Sequence, residues 1–164
     1  MAGAPKSLGP ARNGAAVTCI ACDLLSGARP LPGGRIHETS GWVVEHCVGP
    51  LGVGTVVVKP IRHVVHVADL DEAESAALGP LLQRTAAAVT EVVRPEQVYV
   101  CLWSHADGMP GHIHFVVQPV TAADMTRYGA AGPVLQLAMF RARVLPDGED
   151  VEAVSGRLRA LLAE

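Results

Sequence analysis

One long helical stretch set among short β-branched runs does most to limit how this chain folds. The stretch is DLDEAESAALGPLLQRTAAAVTEVV, residues 69–93. Asp71 with Glu74 three later reads as a capping box, in which two residues satisfy each other's free N–H groups at a helix start. Leu78, Leu81, Leu82, Val89, Val92 and Val93 recur at helical spacing. Gly79–Pro80 interrupts the pattern. Proline brings no N–H to the helix ladder and its ring crowds the preceding turn, so a kink, or two helices end to end, is expected there.

The neighbouring runs are short and rich in valine. RIHET (35–39), GWVVEHCV (41–48), TVVVKP (55–60), QVYVCLWS (97–104) and HIHFVVQP (112–119) read as strands, the third ending at Pro60. TAADMTRYG (121–129) opens a short helix with Thr121 as cap. LQLAMFRARV (135–144) fits neither period clearly, and DVEAVSGRLRALLAE (150–164) reads as a terminal helix. Antiparallel strands with one long helix inserted argue an α+β fold.

The 164 residues suffice for one domain with a real core. With 49% hydrophobic and 18% charged residues, the composition is that of a folded globular protein. A formal net charge of −3 implies no basic face, which argues against nucleic acid as a partner. Residues 1–14, MAGAPKSLGPARNG, read as a disordered tail without the apolar centre of a signal peptide. No run of about 18 apolar residues occurs, so no membrane span is expected. Four cysteines are too few for a disulfide scaffold, and the expected location is cytoplasmic, with thiols reduced.

Cys19 and Cys22 form a Cys-x-x-Cys pair whose spacing suits a tetrahedral zinc. A redox pair is the rival reading, but that motif normally sits in a βαβ unit, which is not evident here. Zinc with two sulfurs needs two further ligands. The seven histidines supply candidates, among them His63 or His66 in RHVVH. His112 and His114 stand at i and i+2 of an expected strand, which puts both imidazoles on one face about 7 Å apart and Ile113, Phe115 and Val117 on the other. Cys47 and Cys101 read as small buried hydrophobes. His37 and His46 read as ordinary strand residues. Trp42 and Trp103 are candidates for either core or the lining of a pocket.

Taken in order, Cys-x-x-Cys, VVVKPIRH, ADLDEAE and His-x-His resemble the histidine triad superfamily of nucleotide hydrolases and transferases, over about residues 17–120. The resemblance implies a five-stranded antiparallel sheet with one long helix, expected over residues 15–129; residues 130–164 fall outside it and are expected as a C-terminal helical extension packed on the same domain. It implies a homodimer and a nucleotide substrate, such as a dinucleoside polyphosphate or a nucleotidyl conjugate. It also implies a structural zinc held by Cys19, Cys22, His63 and His112. The middle triad histidine is His114, to which the resemblance gives the role of nucleophile on the α-phosphorus, through a nucleotidyl-histidine intermediate.

The chain departs from that pattern in two places. The third triad position is Val116, which can neither donate a proton nor bind a phosphate oxygen. The segment before the triad, SHADGMPG, is short and lacks the family's glutamine. Ser104, His105 and the backbone up to Gly111 are the candidates for a substitute phosphate cradle, and His105 for a proton donor. A nucleotide-binding protein that turns over weakly or not at all is the alternative to an enzyme.

Overall fold

The computed structural model describes residues 19–104 and 111–163. The expected tail, residues 1–14, lies outside them. The elements run α1 (Ile20–Ser26), β1 (Arg35–Glu38), β2 (Trp42–His46), β3 (Val56–Pro60), a 3₁₀ turn (Val67–Asp69), α2 (Glu72–Val93), β4 (Gln97–Leu102), β5 (Phe115–Val120), α3 (Ala122–Tyr128), α4 (Gly132–Ala142) and α5 (Gly148–Leu162). The fold is α+β. Its five strands are ordered β1-β2-β3-β5-β4, and every neighbouring pair is antiparallel.

The α2 cap forms as its sequence dictates. Asp71 Oδ1 accepts from the Glu74 N–H at 2.7 Å, and Glu74 Oε2 accepts from the Asp71 N–H at 3.0 Å. Arg62 closes on the same carboxylate at 2.7 Å and holds Glu74 below the usual carboxylate range. Thr121 caps α3 in the same reciprocal way with Asp124.

Two expectations are narrowed or corrected. First, helix α2 is one unbroken element through Gly79 and Pro80, which excludes two helices end to end. Both residues lie on its exposed side, where water can take the carbonyl that proline leaves without a donor. Second, β5 begins at Phe115, so His112 and His114 precede the strand and do not alternate within it. The ladder stops because Pro60, which ends β3, has no N–H to extend it. The chain turns there, and the Ile113 N–H goes to the Val64 carbonyl at 2.8 Å.

Each sheet face carries its own apolar cluster. On one, Val44, Val58 and Val117 meet Leu81, Ala88 and Val89 of α2 and Leu158 of α5. On the other, Val116 and Val120 meet Leu51 and, from α4, Leu135 and Met139. The segment 135–144 that fitted neither period is thus mostly helix, buried on one side by Leu135 and Met139. Helix α5 is pinned where Gly33, at φ +75°, comes so close that a Cβ would stand 2.2 Å from Ser155 Oγ. Around that contact the Gly33 N–H donates to Glu152 and its carbonyl accepts from Arg159.

Candidate functional site

Helix α1 starts at the Cys-x-x-Cys. Cys19 takes the N-cap position, and Cys22 lies in the first turn. The segment after β3 brings His63, and the lead into β5 brings His112. One ligand atom from each of Cys19, Cys22, His63 and His112 lies within 4.8 Å of all the others. His112 Nδ1 stands 3.8 Å from Cys19 Sγ and 3.6 Å from Cys22 Sγ, and His63 Nδ1 stands 3.3 Å from Cys22 Sγ. Two ligands on a tetrahedral zinc, at the usual Zn–S and Zn–N lengths, are about 3.6 Å apart. The donor set and its spacing therefore fit a structural zinc, with His63 and not His66 as the third ligand.

The protonation states agree with that fit. His112 Nε2 lies 2.9 Å from the Pro60 carbonyl, which can only accept, so Nε2 carries the hydrogen and Nδ1 presents its lone pair to the sulfurs. Burial pushes the His112 pKa down to about 4, which keeps the ring neutral at pH 7. Burial and the adjacent Cys19 push the Cys22 thiol up to about 11, so in bare protein it stays protonated. A zinc ion would hold both sulfurs as thiolates and tie α1 to the sheet.

His114 faces other company. It lines a cavity of about 480 Å³ together with Ala21 and Leu24 of α1, Glu45 to Gly49, Lys59, Val116, Trp103, Ser104 and Phe140 of α4. Its Nδ1 lies 3.0 Å from the His112 carbonyl oxygen. The hydrogen of a neutral ring therefore sits on Nδ1, and Nε2 is left as a free base. Two residues apart, the imidazoles are held in opposite tautomers by two backbone carbonyls.

Of the other sequence candidates, Ser104 and Val116 line this cavity, and half-buried Gly111 lies at the edge of the described residues. His105 lies outside them, as does the backbone of Asp107 to Pro110. Val116 is buried in the apolar cluster under α4. Gln118 is fully buried and bonds the Leu51 carbonyl and Gln136 of α4. The tryptophans divide. Trp42 is core, with its indole N–H on the Glu74 carbonyl, whereas Trp103 is 59% exposed and stands at the cavity. His46 is more than an ordinary strand residue, since its Nε2 accepts from the Gly54 N–H at 3.0 Å and its Nδ1 donates to the Cys47 carbonyl at 2.9 Å. Cys47 and Cys101 are both half-buried, and each sulfur accepts a hydrogen bond.

Sequence reasoning missed one feature. Lys59 and Glu45, with side chains 2% and 4% exposed, form an ion pair in the cavity wall. Lys59 also donates to the Ala21 carbonyl at 3.1 Å. The signal was a lysine inside VVVKP and a glutamate inside GWVVEHCV, two charges in runs that otherwise read as buried.

No family model matches the sequence. No curated protein matches it either. Solved structures do. A HIT-like protein from Bartonella henselae, described as involved in cell-cycle regulation, superposes with a TM-score of 0.68 at 19% identity, covering 88% of this chain and 96% of that one. A zinc-bound histidine triad family protein from Mycobacterium smegmatis gives 0.62 at 25% identity, over 89% and 94%. A hypothetical histidine triad nucleotide-binding protein from Sulfolobus tokodaii gives 0.68 at 16%, over 88% and 92%.

Proposed function

We propose that this chain, a histidine triad superfamily protein by its fold, binds a nucleotide in the cavity beside His114 and transfers its nucleotidyl group to water or another acceptor. The observation that carries the reading is the His114 tautomer: Nδ1–H is spent on the His112 carbonyl, and Nε2 is a free base on the lining of a nucleotide-sized space. In the proposed reaction Nε2 attacks the α-phosphorus. The bond from phosphorus to the leaving oxygen or nitrogen breaks, and the leaving group takes a proton from His105 or water. Water then attacks the nucleotidyl-histidine and restores the ring. Dinucleoside polyphosphates and nucleotidyl conjugates are the substrate classes. Ser104 and Gly111 are the proposed phosphate contacts, with Val116 on the same wall. Zinc takes no part in bond making, because four protein ligands leave it no open position.

Incubation with such substrates, acid quench and mass analysis tests this. The expected result is an acid-labile nucleotidyl adduct in wild type and none in His114→Ala, with turnover reduced at least a hundredfold. Equal turnover in both proteins sinks the role given to His114.

A second reading, a nucleotide-binding protein with little turnover, is favoured by Val116, whose side chain belongs to an apolar cluster and brings nothing to a phosphate. Tight nucleotide binding without turnover over the same panel supports it. The proposed setting is a cytoplasmic homodimer in which residues 130–164 belong to the same unit as the sheet. The open edge of β4, with Val100 exposed on it, supports pairing with a second copy. Light scattering at twice the chain mass is the expected result.

A further inference from the structure

Two aromatic side chains line the cavity that holds His114 and still face solvent. Trp103 is more than half exposed, and Phe140 of α4 is about half exposed. Both rings are therefore open to a molecule that enters that space. Trp103 is also held in place. Its single indole N–H is shared between Gln136 Oε1 at 3.2 Å and the Cys101 sulfur at 3.0 Å. Gln136 in turn donates to Gln118 Oε1 at 2.9 Å, and Gln118 donates to the Leu51 carbonyl at 3.2 Å. Both glutamines are buried. A buried polar chain is costly unless its members satisfy one another; when they do, it fixes the geometry it links. Here it fixes an exposed indole against α4.

Strand register places that indole beside His114. The β4–β5 ladder ends with Leu102 opposite Phe115, and Trp103 and His114 are the next residue on each side. Opposite residues of an antiparallel pair send their side chains to the same face, and these two line the same cavity. Phe140 lies one helical turn beyond Gln136, on the side of α4 that holds Trp103. With its N–H spent inside the protein, Trp103 offers a ligand its flat face and no hydrogen bond. Such a face suits an aromatic heterocycle. In a nucleotide bound with its α-phosphorus at His114, the base lies one ribose away, within reach of a side chain rooted at the neighbouring position.

We propose that Trp103 is the base-stacking residue of the site, with the Phe140 ring as its apolar neighbour. The nucleobase lies flat on the indole. The ligand class is a nucleotide with a planar aromatic base, read by its face and not by the hydrogen-bonding pattern of its edge. This rests on the nucleotide reading above.

The test uses the full-length, zinc-loaded protein and adenosine 5′-monophosphate as the probe. By calorimetry, Trp103→Leu is expected to weaken binding about five- to a hundredfold, the usual range for losing one base–aromatic stack. Trp103→Phe keeps a flat ring and is expected to retain most of the affinity. A second readout needs no variant. Trp42, the other tryptophan, is buried in the core, so acrylamide, which quenches only indoles it can reach, reports on Trp103. Saturating nucleotide is expected to cut that quenching to about half or less, because the base covers the ring. A loss below about fivefold in Trp103→Leu, a Phe variant as weak as the Leu variant, or unchanged quenching in nucleotide-bound wild type overturns the stacking role and leaves the nucleotide reading standing. Failure of wild type to bind the probe overturns the nucleotide reading and this inference with it. The quenching result decides the matter even if Trp103→Leu does not fold.

Discussion

His112 and His114 do different work because two carbonyls assign their hydrogens. Pro60 takes the Nε2–H of His112, and His112 itself takes the Nδ1–H of His114. Sequence could single out these two histidines but not separate them by tautomer, which depends on where distant backbone oxygens fall. The ion pair gives a sharper case. Lys59→Met alone strands a buried carboxylate and is expected to cost about 3–5 kcal/mol in urea unfolding, while the double variant Glu45→Leu/Lys59→Met stays within about 1–2 kcal/mol of wild type. Burial lowers the pKa of His46, whose Nε2 must stay unprotonated to accept from Gly54. The folded ring therefore binds protons less readily than the unfolded one. Its contribution to stability is full above the unfolded value of about 6.5 and is lost as pH falls through the lower, folded value. Urea midpoints at pH 7.5 and pH 5 are expected to differ less in His46→Gln than in wild type.

Local signals placed most elements and misplaced some ends. The α2 and α3 caps form where Asp71 and Thr121 predict them. Pro80 fails to divide α2 because it lies on the exposed side, a fact of tertiary position and not of proline itself. Strand β5 starts three residues later than its hydrophobic pattern suggests, since its partner β3 ends in a proline. Val116 shows how an element limits a residue. The valine completes an apolar cluster under α4, so Val116→His pushes an imidazole against Leu51, Leu135 and Met139. The substitution is expected to destabilise the protein by about 1–3 kcal/mol in urea unfolding and to leave turnover no higher than in wild type.

Zinc and helix α5 secure different elements of the fold. The metal cluster joins α1, the segment after β3 and the lead into β5, which are about 40 and 90 residues apart in sequence. One zinc per chain is expected by elemental analysis. Removing it with a chelator is expected to free two thiols, lower Tm by several degrees and loosen the cavity wall that α1 supplies, as ligand loss from the folded state requires. Helix α5 instead holds the main core, where its Leu158 is 1% exposed. Leu158→Ala is expected to cost about 2–5 kcal/mol in urea unfolding, although it touches neither the cluster nor the cavity.

The order Cys-x-x-Cys, VVVKPIRH, capped helix, His-x-His was enough to read the fold class, the zinc ligands and the histidine to test. Those signals are local, or come in pairs whose chemistry permits few partners. The cavity's character was not legible in the same way. Whether Glu45 meets Lys59, whether α4 covers Val116, and which nitrogen of His114 is free all depend on strand register and on helices far along the chain. The sequence names the ionisable groups, but the low dielectric that makes their pairing decisive exists only once the sheet and helices have closed around them.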